Sequence, residues 1–317
     1  MTITQSEALF ATMLDGGISD ADIADTLVTL ADRGETADEI AGAAKAMRAR
    51  MIRISAPTNA IDVCGTGGDG QHSLNVSTAV AIVVAACEVP VAKHGNRAAS
   101  SLAGGADTLE ALGLNLDRAS ETAEATLADL GICFLFAQKH HPALAKIAPI
   151  RKALGRRTIF NLLGPLCNPA GVKRQLIGVA SPDLITRHAD ALRILGVDRA
   201  MTVSGDEGLD ELSVAGPSRV ATIGLALPGE AVSPEDAGLS RHSLEALKGG
   251  DAAYNAAALR RLLDGEQGAY RDAVLLNAAG ALIVADRAHD WKHGVEEAAE
   301  AIDRGLAKAL LDCWIAY

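Results

Sequence analysis

The chain has 317 residues, of which 49% are hydrophobic and only 3% aromatic, and its formal net charge is −11. This length allows one large domain or two unequal ones, built around an aliphatic core. The acidic balance and the scarcity of aromatic stacking platforms argue against a nucleic-acid partner and against binding to an anionic membrane.

The cysteines and the N-terminus indicate the compartment. The chain has five scattered cysteines and no CxxC pair: Cys64, Cys87, Cys133, Cys167 and Cys313. This pattern is typical of reduced thiols in a cytosolic protein. The sequence shows no basic-then-apolar leader and no apolar run of about 20 residues. We therefore expect a cytoplasmic protein.

Residues 1–52 have the pattern of a small helical unit. Partial or complete capping boxes occur at Thr4-x-x-Glu7, Ser19-x-x-Asp22 and Thr36-x-x-Glu39. Gly16, Gly17 and Gly34 lie between them and are expected to end helices. A unit this small must bury its apolar stripes against the rest of the chain or against a second subunit. Residues 53–60 are expected to form a linker.

Residues 62–107 contain three loops rich in glycine and in hydrogen-bonding side chains, at 65–70 (GTGGDG), 75–78 (NVST) and 93–101 (KHGNRAASS). Glycine lets a backbone approach a ligand closely and aim its N–H groups at it. Ser, Thr and Asn donate hydrogen bonds, and Lys and Arg supply positive charge. Each loop therefore has the composition of a phosphate-binding loop.

Apolar segments separate these loops. Residues 60–64 and 89–92 are expected to be short strands, the second delivering Lys93, and residues 79–87 a buried helix. Ser77 or Thr78 would then lie at the helix N-terminus, where free N–H groups favour an anion. In open α/β sheets, ligands gather at the carboxyl ends of strands.

A dinucleotide-binding site is an alternative for the first loop. Gly65-x-Gly67-x-x-Gly70 matches the G-x-G-x-x-G fingerprint, and Glu88 lies roughly where a ribose-binding acid would be expected. That fingerprint requires a helix to open inside the glycine run. Here the run continues into residues that are typical of a loop, so we do not favour a nicotinamide cofactor.

The rest of the chain alternates between helices and strands. Helices are predicted at 106–112, 120–130, 184–195, 274–286 and 294–312, and strands at 133–137, 175–179, 199–203 and 220–223. Residues 138–170 have helical texture that a turn at 162–169 interrupts. This alternation predicts an α/β fold with a mostly parallel sheet.

Further motifs follow the three loops in a fixed order. They are GGADTLEALG at 104–113, HHPALAKIAPIRKALGRRTIFNLLGPLCNPA at 140–170 and GDEGLDELSVAGPSRVATI at 205–223. Together with the loops, they resemble the anthranilate phosphoribosyltransferase family of tryptophan biosynthesis. The similarity runs from the N-terminal helices to near the C-terminus.

The resemblance implies a fold and a reaction. The fold would combine a small helical domain, residues 1–57 with a later crossover at roughly 140–170, and a larger α/β domain, residues 58–317. The helical domain would also form a homodimer interface. The enzyme would transfer the phosphoribosyl group of 5-phosphoribosyl-1-diphosphate to the amine of anthranilate, releasing diphosphate.

The resemblance also implies which residues bind the phosphoribosyl donor. These are Gly65, Gly68, Asp69, Ser73, Asn75, Val76, Ser77, Thr78, Lys93, His94, Gly95, Asn96, Arg97, Ala98, Ala99, Ser100, Ser101 and Gly105. Gly105 departs from the family pattern because many relatives have Ser there. A backbone N–H can still serve at that position.

The acceptor and metal sites are implied in the same way. The anthranilate site would comprise Gly65, Asn96, Arg151, His94, Gly164 and Pro165. Arg151 would bind the carboxylate of anthranilate, since a guanidinium can grip a carboxylate with two bonds. Ser77, Asp210 and Glu211 would hold one or two Mg²⁺ ions, which prefer carboxylate and phosphate oxygens. The nearby Asp206 and Glu207 fall outside the family's ligand positions.

Two other functions remain as alternatives. A pyrimidine nucleoside phosphorylase shares the general fold, but the KHGNR loop and the 140–170 motif argue against it. A non-catalytic, nucleic-acid-binding relative would need a basic surface, whereas this chain is acidic.

Overall fold

A computed structural model describes residues 1–98, 101–227 and 229–317. The α-helices in chain order are α1 (Ile3–Asp15), α2 (Asp20–Arg33), α3 (Ala37–Arg48), α4 (Val76–Ala86), α5 (Gly105–Leu112), α6 (Leu116–Glu121), α7 (Ala123–Leu130), α8 (Ala137–His140), α9 (Ala148–Leu154), α10 (Phe160–Leu163), α11 (Ile185–Ile194), α12 (Ala252–Leu263), α13 (Ala269–Val284), α14 (Trp291–Asp303) and α15 (Leu306–Ala316). Short 3₁₀ turns lie at Pro142–Lys146, Pro165–Cys167, Pro182–Leu184, Pro234–Ala237 and Leu244–Leu247. No helix in these described ranges is both long and apolar enough to cross a membrane.

The strands form one sheet. They are β1 (Ile61–Gly65), β2 (Val91–Gly95), β3 (Ile132–Phe136), β4 (Arg174–Gly178), β5 (Arg199–Gly205), β6 (Ser218–Ile223) and β7 (Ala231–Val232). Their order is β3-β2-β1-β4-β5-β6-β7, in which the first five are parallel and the last two pair antiparallel. A small helical unit beside a mostly parallel sheet confirms the predicted fold class.

The N-terminal helices pack against one side of this sheet. Buried residues of α1–α3 share one apolar cluster with α10, α11 and inward-facing residues of β4 and β5. Two predicted helix starts are confirmed, because Ser19 and Thr36 accept hydrogen bonds from the N–H groups of Asp22 and Glu39. The prediction at Thr4 is wrong. Thr2 has the extended backbone of an N-cap and completes its box with Gln5, so Thr4 lies inside α1.

The predicted end of the second strand is also wrong. The strand was expected to finish at residue 92, with Lys93 opening a loop, but β2 continues to Gly95. The reason is its register with β3, which pairs Lys93 with Phe134 and His94 with Leu135. The side chains of Lys93 and His94 are therefore buried within the sheet instead of exposed in a loop.

The helices after β7, together with α4, cover the other face of the sheet. Helix α13 packs on α4 and α14, and all three contribute to the larger apolar core. The helix predicted at 294–312 is two helices, because Gly305 has a positive φ of 72° and separates α14 from α15. Similarly, the helix predicted at 120–130 is divided between α6 and α7. Helix α12 was not predicted.

Candidate active site

The candidate site lies at the carboxyl ends of β1, β2 and β5. The loop after β1 carries the GTGGDG motif, and the N-terminus of α4 follows it. The acidic pair Asp210–Glu211 lies after β5 and reaches both of these elements. Helix α4 begins at Val76, well beyond Gly70, so the helix does not open inside the glycine run as a dinucleotide fingerprint requires.

Backbone N–H groups hold both acidic side chains. Gly67 N–H donates to Asp210 Oδ2 at 2.7 Å, and Ser77 N–H donates to Glu211 Oε1 at 3.1 Å. Burial and the neighbouring Asp69 and Glu211 carboxylates raise the pKa of Asp210 well above its usual range. Burial also raises the pKa of Glu211 to about 7, although Lys93 and Ser77 oppose the rise. This concentration of carboxyl groups favours a cation.

The carboxyl groups fit a magnesium ion that substrate phosphates would also ligate. Asp69, Asp210 and Glu211 supply hard oxygen donors, and Asp69 lies close enough to Asp210 to raise its pKa. Within the described residues, no group of three or more acidic, His or Cys side chains is arranged to hold a metal alone. Mg²⁺ commonly takes only one or two carboxylates and completes its shell with phosphate oxygens and water.

The other acidic pair in this loop has different partners. Asp206 forms an ion pair with Arg219, in which Arg219 Nε lies 3.3 Å from Asp206 Oδ1. Glu207 accepts a hydrogen bond from the hydroxyl of Ser213. Both acidic side chains therefore serve contacts at the β5–β6 turn.

Lys93 links β1 to the first turn of α4. Its side chain is only 3% exposed. Its ammonium group donates to the carbonyl oxygen of Val63 at 2.7 Å and to Ser77 Oγ at 3.3 Å. Burial raises the pKa of both Asp62 and Glu211, and the charge of Lys93 opposes each rise. Lys93 is thus a buried cation between two carboxyl groups that also orients the Ser77 hydroxyl.

Asn75, which opens the 75–78 loop, connects that loop to α5, α12 and α13. Its Nδ2 donates to the carbonyl of Ala103 at 3.1 Å, and its Oδ1 accepts from Thr108 and from Asn255 Nδ2. The hydroxyl of Tyr270 donates to its backbone carbonyl at 3.2 Å. The Asn75 side chain therefore positions the loop. Among the remaining donor-site residues before β2, Gly68 is exposed in the loop, and Asp69 and Ser73 are half-buried there. Val76, Ser77 and Thr78 form the first turn of α4.

Asp107 holds the loop after β2. Its Oδ2 accepts the N–H groups of Ala98 and Gly104, each at 2.9 Å. The guanidinium of Arg97 forms ion pairs with Asp107 and Glu110. Arg97 therefore faces carboxylates in this structure. Of the other donor-site residues, Gly95 ends β2, Asn96 is exposed, Ser101 is half-buried, Gly105 begins α5, and Ala99 and Ser100 lie outside the described residues.

His94 connects the sheet to the predicted acceptor segment. Its Nδ1 lies 3.0 Å from the Gly164 carbonyl oxygen, so Nδ1 must carry the hydrogen. Its Nε2 lies 3.2 Å from Nε2 of His141, which must then be the donor in that pair. Burial and the neighbouring histidine lower the pKa of His94 to about 3. His94 is therefore neutral with both nitrogens engaged, which does not suit a general base.

Of the other acceptor residues, Gly65 ends β1 and Asn96 follows β2. The remaining three lie on the 148–170 segment. Gly164 is exposed, and Pro165 is buried behind it with its carbonyl accepting from Gln175 Nε2 at 2.7 Å. The Arg151 guanidinium carbon lies 5.5 Å from the centre of the Phe160 ring. Burial lowers the pKa of Arg151, and no charged group in the described ranges offsets that effect. Arg151 is a half-buried cation available to an anionic ligand.

Sequence reasoning did not identify the residues that support these loops. Asn255 and Tyr270 are polar positions on largely apolar helices, and they contact Asn75 from the far end of the chain. Asp62 and Asn168 are buried beneath the site and hydrogen-bonded to each other. One signal was present for Asp62, since it is a charged residue inside an otherwise apolar strand.

Family models match both parts of the chain. Residues 1–51 match the helical bundle domain of the glycosyl transferase family, and residues 57–308 match its a/b domain. Among curated proteins, anthranilate phosphoribosyltransferase from Novosphingobium aromaticivorans is 67% identical over 98% of this chain and 95% of the relative.

Solved structures agree with this assignment. The Thermus thermophilus anthranilate phosphoribosyltransferase has a TM-score of 0.93 and 44% identity, over 100% of this chain and 95% of that one. The Saccharomyces cerevisiae enzyme, in complex with PRPP and Mg, has a TM-score of 0.88 and 28% identity, over 99% and 92%. These similarities confirm the predicted activity and do not favour the phosphorylase or the nucleic-acid-binding alternative. The chain belongs to the anthranilate phosphoribosyltransferase family.

Proposed function

We propose that the loops after β1 and β2, together with the start of α4, bind 5-phosphoribosyl-1-diphosphate, and that the Gly164 turn and Arg151 bind anthranilate. The observation that carries this assignment is the joint anchoring of Asp210 and Glu211 by Gly67 N–H and Ser77 N–H. It brings a glycine loop, a helix N-terminus and two carboxyl groups to one place, as a polyphosphate with its cation requires.

In the reaction, the amine nitrogen of anthranilate attacks the anomeric carbon of the ribose. The bond from that carbon to the diphosphate oxygen breaks, and diphosphate leaves with the electron pair. The N–H groups of the glycine loop and of α4 would stabilise the charge of the leaving group. The attached nitrogen then releases its proton to water. A strong base is not required, because an arylammonium is acidic.

Asp210 and Glu211 would hold Mg²⁺, with the Ser77 hydroxyl as a further ligand that Lys93 orients at 3.3 Å. When bound, the ion would neutralise diphosphate charge. It would also offset the repulsion that raises the pKa of the Asp210 carboxyl group. One or two ions are compatible with this set of donors.

Arg151 would bind the carboxylate of anthranilate. A half-buried guanidinium without a carboxylate partner among the described residues is suited to this role, because the ligand would supply the missing charge. Gly164, Pro165, His94, Asn96 and Gly65 would surround the aromatic ring. The bonded, neutral His94 would act as a wall of this pocket.

A fluorescence assay of anthranilate consumption tests the function. We expect consumption only when the enzyme, 5-phosphoribosyl-1-diphosphate and Mg²⁺ are all present, because each supplies one part of the site. Each component is omitted in turn, and diphosphate release is measured in parallel. Consumption without diphosphate release, or no consumption by folded protein, would contradict the proposal.

The assembly, the compartment and the domain boundaries are further proposals. A homodimer through the N-terminal helical unit is supported by apolar residues that stay partly exposed there, including Leu9 in α1 and Ile18 between α1 and α2. Light scattering of the purified protein would test it. A cytoplasmic location is supported by four buried cysteines that are free thiols. We also retain the division into residues 1–57 with 140–170, and 58–317.

A further inference from the structure

Asp62 is a charged residue at the centre of the sheet. It lies in β1 with no exposed surface, and its neighbours Ala92 and Cys133 belong to a buried apolar cluster. Burying a carboxylate is costly unless hydrogen bonds and a nearby cation compensate it. Burial raises the pKa of Asp62, and Lys93 opposes that rise. Such a position points to a geometric role that an apolar side chain could not perform.

The hydrogen bonds of Asp62 define that role. One carboxylate oxygen accepts the backbone N–H of His94 at 3.0 Å, and the other accepts Nδ2 of Asn168 at 2.8 Å. Asn168 Nδ2 also donates to the carbonyl of Ala92 at 2.8 Å, and its Oδ1 accepts the N–H of Ala170 at 2.8 Å. Both the nitrogen and the oxygen of the Asn168 side-chain amide are therefore hydrogen-bonded, which fixes the orientation of the amide.

These contacts close a ring around the turn that carries Gly164. The side chain of His94 reaches the Gly164 carbonyl at one end of the turn, and Asn168 attaches the other end to Asp62. Asp62 binds the same His94 through its backbone N–H. Asp62 and Asn168 are both buried, so neither side chain reaches the open side of the turn.

We propose that Asp62 and Asn168 are a pair of positioning residues that set the distance between the Gly164 turn and β2, and thereby the fit of the anthranilate subsite. The inference rests on the proposed function, in which that turn binds the acceptor. The pair acts through His94 and the turn, so it affects the acceptor more strongly than the donor. The donor loops have separate anchors at Asp107, Asn75 and the acidic pair.

Exchanging the two side chains tests the pair. In Asp62→Asn, two amide groups face each other, and in Asn168→Asp, two carboxyl groups do. The double variant restores a complementary pair, because Asn at 62 can accept from His94 and donate to Asp at 168. We expect each single variant to raise the KM for anthranilate about tenfold or more, with the KM for 5-phosphoribosyl-1-diphosphate changed less than about twofold. The double variant should recover part of the loss, because the two side chains are complementary again while the hydrogen bond from position 168 to the Ala92 carbonyl stays broken.

A matched control separates positioning from general destabilisation. Leu311→Ala opens a cavity in the α15 layer, within an apolar cluster that contains no member of the ring. It should lower the melting temperature without raising the KM for anthranilate. Asn168→Ser removes the amide without adding a charge, and it replaces either single variant that fails to fold.

The outcomes separate this inference from the proposed function. A parallel rise in both KM values would overturn the positioning role. So would a double variant no better than the single variants, or single variants that only lower the melting temperature, as the Leu311→Ala control does. Unchanged KM values in active variants would overturn it as well. A folded wild-type protein that does not consume anthranilate would overturn the proposed function, and this inference with it.

Discussion

Gly65 and Asp210 approach so closely that a methyl group on Gly65 would lie 2.2 Å from Asp210 Oδ2. Gly65→Ala should therefore displace the Asp210 carboxylate and break its hydrogen bond from Gly67. We expect activity to fall by about 10- to 100-fold and the Mg²⁺ requirement to rise. Gly216→Ala is the control, since a methyl group there meets no atom within 4 Å. An unchanged Mg²⁺ titration in Gly65→Ala would contradict the role of Asp210.

The two acidic pairs after β5 should respond differently to neutralisation. Asp210→Asn and Glu211→Gln should depress activity and shift its Mg²⁺ dependence, because they remove the proposed metal ligands. Asp206→Asn and Glu207→Gln should leave that dependence unchanged, because their wild-type side chains contact Arg219 and Ser213. The same Mg²⁺ titration of all four variants checks the assignment. A shift in Mg²⁺ dependence confined to Asp206→Asn and Glu207→Gln would make that pair the metal ligands instead.

Arg151→Ala should weaken anthranilate binding by about 2–3 kcal/mol, roughly a 30- to 150-fold rise in Kd. The lost interaction is a hydrogen bond between two charged groups in a half-buried place. Arg151→Lys should recover only part of it, since an ammonium cannot bond both carboxylate oxygens in one plane. Arg156→Ala, which removes only a surface ion pair with Asp32, is the matched control. Equal KM values for Arg151→Ala and the control would exclude the role.

Gly164→Ala should leave the fold intact and change the acceptor pocket. Gly164 has φ −49° and ψ −57°, which alanine adopts without strain, and a methyl group there meets no protein atom within 4 Å. If the open space above Gly164 holds anthranilate, the methyl group will occupy part of it. We expect a several-fold rise in the KM for anthranilate with an unchanged melting temperature. A normal KM would place the aromatic ring elsewhere.

His188 should make the protein less stable in mild acid. Burial lowers its pKa from 6.5 to about 4, so the unfolded chain binds a proton at pH values where the folded chain does not. Its contribution to stability is therefore intact above about pH 6.5 and is lost as the pH falls toward 4. Between pH 7 and pH 5, the wild type should lose roughly 2 kcal/mol more unfolding free energy than His188→Gln.

Urea unfolding at the two pH values measures this difference. His289→Gln is the control, because the side chain of His289 is 75% exposed. It should behave like the wild type. If His188→Gln shows the wild-type pH dependence, the assignment of His188 as a buried, neutral side chain is contradicted.

The sequence was most informative where periodicity and glycine coincide. The β1 loop and helix α4 could be predicted from the residues, because glycine-rich and apolar segments alternate there as in an open α/β sheet. The acidic pair was indicated only by the family resemblance. The end of β2 could not be predicted, since Lys93 and His94 are polar. Their burial depends on pairing with β3, roughly 40 residues later in the chain. Local patterns do not contain that register.

The supporting contacts of the site were hidden for a similar reason. Asp62 with Asn168 and Asn75 with Asn255 join residues that are more than a hundred positions apart. A polar residue in an apolar segment signals that a partner exists, but the partner is defined only by the fold. The antiparallel β6 and the break at Gly305 were also missed, because one strand looks the same in either direction and one glycine is tolerated in a helix.

Asn75 holds its loop through contacts from α5, α12 and α13. Amide hydrogens in this part of a surface loop should therefore exchange with solvent at the slow rate of the core helices, since their release requires those helices to separate. The donor-binding loop cannot acquire its final form until the C-terminal layer has docked, so a nascent chain that has folded only its sheet would not yet bind the donor.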